Sequence, residues 1–302
     1  MPELPEVETI ARGLRPLIRG KRIRDVGVKW PRTVDARSLP LASLRGQKIL
    51  DVGRVGKYVA IAMEDGRTLT IHLRMTGSLQ VERASKKADH HERLTIRFDD
   101  GLALKFVDPR KFGRVRLLDG DATEVLGVGI DPLDRTLNAN TFAALLAGRR
   151  TPIKTWLLDQ RRLAGVGNIY ACEALFYAGI RPKRPAGRLT ATERIGLLTS
   201  LRRVLRRAIK HRGSSLNDYV DAEGKEGGFQ KQFAVYGRLG LPCKQCRSTV
   251  RRILLAQRST FYCSACQRYC TARHPSAPRQ ARDTPLPRRS ARKTIDCSAI
   301  EI

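Results

Sequence analysis

Four cysteines and one proline carry the clearest chemistry in this sequence. Cys243-Lys244-Gln245-Cys246 is followed, after sixteen residues, by Cys263-Ser264-Ala265-Cys266. Two such knuckles a strand pair apart supply four thiolates to one tetrahedral zinc ion. Disulfides or free thiols are the alternative reading. A closed four-thiolate site leaves no open coordination position, so the expected zinc is structural. Cys270 nearby reads as a bystander or a spare ligand.

Pro2 follows Met1, and a small second residue permits removal of the initiator methionine. That would leave a secondary amine at the head of a helix. An α-amino group titrates at about 8 and a lysine at about 10.4, so at pH 7.5 roughly a quarter of the former is neutral, against about 0.1% of the latter. The positive end of a helix disfavours the cation further. Pro2 is therefore a ready nucleophile toward an aldehyde carbon, forming an iminium, with Glu3 and Glu6 beside it as proton carriers. The competing reading is an ordinary helix start with proline and acids in its first turn.

Composition narrows the partner. The 302 residues hold 58 Lys and Arg against 29 Asp and Glu, a net charge of +29. With 41% hydrophobic residues the chain can bury real cores, which excludes wholesale disorder. So strong a positive charge points to a polyanion, either nucleic acid or an acidic membrane surface. No apolar stretch reaches the roughly 18 residues of a membrane span. The acidic start MPELPEVET lacks a basic segment with an apolar run, so secretion is not expected and a cytoplasmic location is.

Several elements must position these residues. Val7, Ile10, Leu14 and Leu17 fall at helical spacing over 6–18. Strand-like segments follow at 22–30, 47–52, 56–63, 67–74, 93–98, 102–107 and 113–118, with turns at Glu64-Asp65-Gly66 and Asp99-Asp100-Gly101, predicting an antiparallel sandwich or barrel. Beyond about residue 133 the pattern turns helical: 139–147, 152–160, 168–179 and 191–212, the last opened by the capping box Thr190/Glu193. Gly165-Val166-Gly167-Asn168 opens one helix, whose free amides would suit phosphate, with Asn168 as a plain N-cap the compatible alternative. The glycine-rich stretch 213–233 reads as a loop. Arg251, Arg252 and Arg258 sit on a basic hairpin between the knuckles. The tail has seven Arg and Lys against three acids and four prolines, and is expected to be disordered.

Seven motifs in register resemble one family. They are PELPEVE, Gly56-Lys57-Tyr58, Ile71-His72-Leu73-Arg74-Met75-Thr76-Gly77, Asp108-Pro109-Arg110-Lys111-Phe112-Gly113, Gly165-Val166-Gly167-Asn168-Ile169-Tyr170, Val235-Tyr236-Gly237-Arg238 and the four-cysteine finger. Over about residues 2–269 the chain resembles the bacterial formamidopyrimidine-DNA glycosylases, which remove oxidised purines. The resemblance implies an α+β fold: an N-terminal helix plus antiparallel β-sandwich (1–133), a helical helix-two-turn-helix domain with a lesion loop (134–232), a zinc finger (233–270) and a basic tail (271–302).

The resemblance also implies roles. Pro2 would attack C1′ of the damaged nucleotide, with Glu3 as proton donor or shuttle. Lys57 resembles a strand lysine that assists base loss and β-elimination, and Arg258 the arginine linked to δ-elimination and phosphate binding. His91, Arg110, Arg150, Lys154 and Asn168 would hold the DNA. Arg150 stands where relatives often carry lysine, which keeps charge but changes geometry. An enzyme acting on a base inside a duplex must first extrude it. Met75 and Phe112 resemble the wedge that fills the vacancy, with Arg110 offered to the orphaned cytosine; core packing is their other reading. The 213–233 loop would close over the extruded base. The implied partner is double-stranded DNA containing oxidised bases or abasic sites, bound by a monomer whose one cofactor is the structural zinc. Two rivals remain, the sister endonuclease VIII group and a non-catalytic lesion-binding protein.

Overall fold

Helix α1 (Leu4–Ile18) begins where the Glu6 carboxylate accepts the backbone N–H of Glu3 at 2.9 Å, half of a capping box, with Pro5 in the first turn. Its buried stripe is split. Leu4 packs into the core of the helical half, whereas Val7, Ile10, Leu14 and Ile18 pack into the sandwich. The first turn of the chain is thus wedged between the two halves. The computed structural model describes residues 1–215, 219–221 and 224–268, all within one compact unit; Cys270 and the tail expected from 271 lie outside the described residues.

The sandwich consists of two four-stranded antiparallel sheets. One runs in the order β1 (Ile23–Val28), β6 (Glu92–Phe98), β7 (Leu102–Val107), β5 (Ser78–Arg83); the other β2 (Ile49–Val55), β3 (Tyr58–Met63), β4 (Thr68–His72), β8 (Arg114–Leu118). Alternation puts Val59, Ile61 and Met63 of β3 inside, with Val59 opposite Ile71 of β4. Strand β5 has no counterpart among the expected segments. It is an edge strand paired only with β7, and apart from Leu79 its residues are half-buried or exposed, so its polar sequence lacks a strong apolar period.

The helical half contains α2 (Ala122–Leu126), α3 (Ala139–Leu146), α4 (Ile153–Leu157), α5 (Asn168–Tyr177) and α6 (Ala191–Lys210). Helix α2 is a single turn capped by Asp121, too short to announce itself by periodicity. The helix expected over 152–160 closes early, because the Asp159 carboxylate takes the backbone N–H of Arg161 in a local turn. Helix α6 keeps its Thr190/Glu193 capping box. The finger is a hairpin of β9 (Val250–Leu255) and β10 (Arg258–Cys263), turned by Ala256 and Gln257, both at positive φ. Among the described residues no helix is long and apolar enough to cross a membrane.

Candidate active site

The turn Gly165-Val166-Gly167 is built around the start of the chain. Gly165, at φ +85°, presents its carbonyl to the Leu4 N–H at 3.0 Å. Gly167 lies so close to Glu3 that a Cβ there would collide with the carboxyl group. The Glu3 carboxylate accepts the N–H groups of Ile169 (3.0 Å) and Tyr170 (3.4 Å), capping α5 from across the molecule. This corrects the expectation that these amides stand free for phosphate: a side chain of the protein already holds them. Asn168 is the first helical residue and not the cap; its Nδ2 donates to the Ser259 carbonyl at 3.0 Å, binding α5 to the finger.

Burial pushes the Glu3 carboxyl above the usual carboxylate range, against the pull of the Lys57 ammonium and the two amide bonds. Lys57 does not lie within a strand as expected. It sits in the β2–β3 turn beside Gly56, buried, and burial lowers its affinity for a proton while Glu3 raises it. Pro2, Glu3, Lys57, Met75, Arg110, Asn168 and Arg258 line one cleft of about 580 Å3. Proline, carboxyl, amine and guanidinium therefore converge from α1, the β2–β3 turn and the finger. An N-terminal proline, a carboxyl whose proton affinity burial raises and a buried lysine together suit covalent chemistry with acid–base assistance.

Beneath this group lies a centre that spacing only partly announced. Glu6 accepts Tyr170 Oη–H at 2.5 Å and the Ser214 N–H at 2.8 Å on Oε1, while Oε2 holds Glu3. Burial, and then the Glu3 charge, push its carboxyl up to about 7. The three-residue spacing to Glu3 gave a sequence signal for Glu6, and Tyr170 closes one of the seven motifs, though with no role assigned to it; Ser214 gave no signal. Glu173 is likewise buried, and its carboxylate accepts the N–H groups of Ala234 (2.9 Å), Val235 (3.0 Å) and Tyr236 (2.9 Å), fixing the segment that leads into the finger.

The outer loops carry the remaining candidates. Met75 is 43% exposed and Phe112 48%, so neither is core packing; the Arg110 guanidinium lies 5.0 Å from the Phe112 ring centre. Their loops are tied together by the buried Asp108, which accepts Thr76 Oγ1–H at 2.6 Å and the Gly113 N–H at 2.7 Å. The neighbouring His72 accepts the Arg74 N–H on Nδ1 at 3.1 Å; burial lowers it to about 3, so it stays neutral. His91, Phe112 and Arg150 lie outside the cleft. Arg150 lines a separate depression with Arg149 and Arg188. Lys154, expected to hold DNA, is fully buried and donates to Thr260 Oγ1 at 2.7 Å, so it ties α4 to the finger.

In the finger, the Sγ atoms of Cys243, Cys246, Cys263 and Cys266 all lie within 4.8 Å of one another, with Cys243–Cys266 at 3.8 Å and Cys246–Cys263 at 3.4 Å. These spacings are far beyond a disulfide bond of about 2.05 Å. Backbone N–H groups of Gln245 and Cys266 approach two of the sulfurs at 3.4 and 3.5 Å, an environment that suits thiolates. The set fits one tetrahedral zinc ion.

Comparison with known proteins agrees with this anatomy. Three family models match in order: the formamidopyrimidine-DNA glycosylase N-terminal domain over residues 1–115, the formamidopyrimidine-DNA glycosylase H2TH domain over 128–220, and the zinc finger found in FPG and IleRS over 240–268. The formamidopyrimidine-DNA glycosylase of Chloroflexus aggregans is 44% identical over 271 residues, covering 88% of this chain and 98% of that protein. That of Gluconobacter oxydans is 43% identical, covering 89% and 100%. Among solved structures, the MutM (FPG) protein of Thermus thermophilus superposes with a TM-score of 0.79 at 42% identity, over 88% of this chain and 98% of that one. Lactococcus lactis Fpg in complex with abasic-site DNA gives 0.78 at 32%, over 88% and 100%. Likeness this extensive runs through the turn around Glu3 and the four-thiolate finger alike, and on it the chain belongs to the formamidopyrimidine-DNA glycosylase family.

Proposed function

We propose that the chain is a bifunctional DNA glycosylase and abasic-site lyase of base excision repair, acting on 8-oxoguanine and formamidopyrimidines in duplex DNA. The observation that carries this reading is the convergence of Pro2, Glu3, Lys57 and Arg258 on one cleft. Solved relatives support the substrate class: Lactococcus lactis Fpg has been captured with DNA containing Fapy-dG and with DNA containing an abasic site.

Removal of Met1 frees the Pro2 amine. Its nitrogen attacks C1′, the glycosidic bond breaks, and the base leaves with a proton. Glu3, whose carboxyl holds its proton to higher pH than usual, supplies one to the sugar or base as charge develops. The proline nitrogen then sheds its proton and the C1′–O4′ bond of this aminal breaks as O4′ takes a proton, opening the sugar to an iminium. The iminium acidifies the C2′–H, so the 3′ phosphate departs by β-elimination and, after further proton loss along the conjugated chain, the 5′ phosphate by δ-elimination. Lys57 assists the first of these and Arg258 the second, each with its charge at the phosphate. Met75 and Phe112 occupy the gap left by the extruded base and Arg110 meets its former partner, while His91, Arg150 and Asn168 hold or position the backbone. The zinc ion supplies a structural cross-link.

The halves bounded at 1–133 and 134–232, with the finger at 233–270, are the working division of this machine, acting as a monomer on chromosomal DNA in the cytoplasm. The decisive experiment is borohydride trapping on an 8-oxoguanine duplex followed by mapping of the adduct. Attachment at the N-terminal peptide is expected. A crosslink elsewhere, or none, overturns the mechanism, and preferred excision of thymine glycol would move the chain to the pyrimidine-type sister group.

A further inference from the structure

Arg93, in β6, is 7% exposed, yet no carboxylate is among its hydrogen-bond partners. Its Nε donates to the Asp108 carbonyl at 2.8 Å, Nη1 to the His90 carbonyl at 3.3 Å and Nη2 to His91 Nδ1 at 3.2 Å. Its own carbonyl accepts the N–H groups of Lys29 (2.9 Å) and Trp30 (3.2 Å). The Trp30 ring in turn faces the Lys111 ammonium at 4.3 Å. One side chain therefore spans two surface loops: the loop ending at His91 and the loop 108–112, which presents Arg110 and Phe112.

The chemistry of the guanidinium makes this bridge directional. It carries five donors, no acceptor, and keeps its charge. The contact with His91 can only be donated by Arg93, so His91 Nδ1 must accept. A neutral imidazole accepting on Nδ1 has its proton on Nε2, and that N–H remains available to a phosphate oxygen. The same guanidinium fixes the backbone of the neighbouring loop at Asp108, whose carboxylate independently holds Thr76 and Gly113. Joining two contact loops before the ligand arrives removes ordering that binding would otherwise have to supply.

We propose that Arg93 is a positioning residue that locks His91, as its Nε2–H tautomer, to the 108–112 loop, so that both loops meet the duplex as one preorganised surface. The proposal rests on the DNA-glycosylase reading above, and its test separates the two. Long-range proton–nitrogen NMR of the zinc-loaded full chain, labelled at histidine, reads the tautomer without DNA. His91 is expected as Nε2–H in the unaltered protein, and an Nδ1–H signal there overturns the lock whether or not any variant folds.

Fluorescence anisotropy on a duplex containing an abasic-site analogue reads the consequence. Arg93→Met should weaken binding about tenfold, and the His91 signal should lose its single tautomer. Arg93→Lys keeps the charge but not the fork, and should resemble Arg93→Met. Full rescue by lysine, or affinity within twofold in both variants with the tautomer unchanged, overturns the proposal. An unaltered protein that shows the Nε2–H tautomer but ignores damaged DNA would instead overturn the functional reading and leave the lock standing.

Discussion

Gly167 and Glu3 are in such close apposition that a Cβ on the glycine would lie 2.1 Å from the Glu3 carboxyl carbon and 2.4 Å from Oε1. Gly167 is at an ordinary backbone angle, so the requirement for glycine comes from space alone. Gly167→Ala must displace the carboxyl group or the start of α5. Excision of 8-oxoguanine in single-turnover assays should fall about a hundredfold, the scale of losing one placed proton carrier. A rate within threefold of the unaltered protein would show that Glu3 position is unimportant.

Glu3→Gln keeps one carbonyl oxygen to cap α5 but cannot deliver a carboxyl proton. Base excision should drop by about 10² to 10⁴. Schiff-base trapping on a duplex that is already abasic should persist, because the Pro2 amine is intact. Equal loss of both steps would erase the distinction between nucleophile and proton carrier.

Glu6 gives a pH signature. Its carboxyl titrates at about 7 in the folded chain against 4.5 as its ordinary value, so between these limits the folded state holds a proton that the unfolded chain has released. Stability therefore falls as pH rises through that window and levels off above it, with a contribution of about 3 kcal/mol. Calorimetric melting of the zinc-loaded protein and of Glu6→Gln between pH 5 and 8 should show the unaltered protein losing stability relative to the variant as pH rises. Parallel curves would contradict this. Glu3, raised in the same direction, leaves a residual slope in both.

Zinc removal should act on DNA binding through geometry. The apolar core under the finger is small, Cys243, Val250 and Cys263 against Cys172, Phe176, Ala234 and Val235, so the fold of the hairpin and its knuckles leans on the metal. Chelation should release one zinc per chain and weaken binding to a damaged duplex by a hundredfold or more, as Arg258 loses its place. Undiminished affinity in the zinc-free protein would assign the finger no part in binding.

Much of this site was legible before any coordinates. The four thiolates, Pro2, Glu3 and the α1 start follow from residue type and spacing, and the cleft brings Pro2, Glu3, Lys57 and Arg258 together. What escaped depended on partners distant in sequence. Glycines that open a helix imply free amides, and only the fold reveals that a carboxylate 166 residues away has taken one of them. A lysine in a basic chain reads as a surface charge, whereas Lys154 is enclosed by the finger. Arg93 had no local pattern, since its contacts combine two near neighbours with a carbonyl 15 residues ahead. Strand β5 was missed for the opposite reason: an edge needs little apolar sequence to pair on one side.

The seam between finger and helices has a mechanical meaning. Lys154 to Thr260, Asn168 to Ser259 and Gln267 to the Ile180 carbonyl, together with the three amides held by Glu173, rivet the hairpin to α4, α5 and the turn that follows. The finger is thus no independent digit but the rigid lip of one jaw. From that lip Arg258 faces the same cleft as Lys57 on the β2–β3 turn, so the two charges that act on the phosphates are carried by different supports.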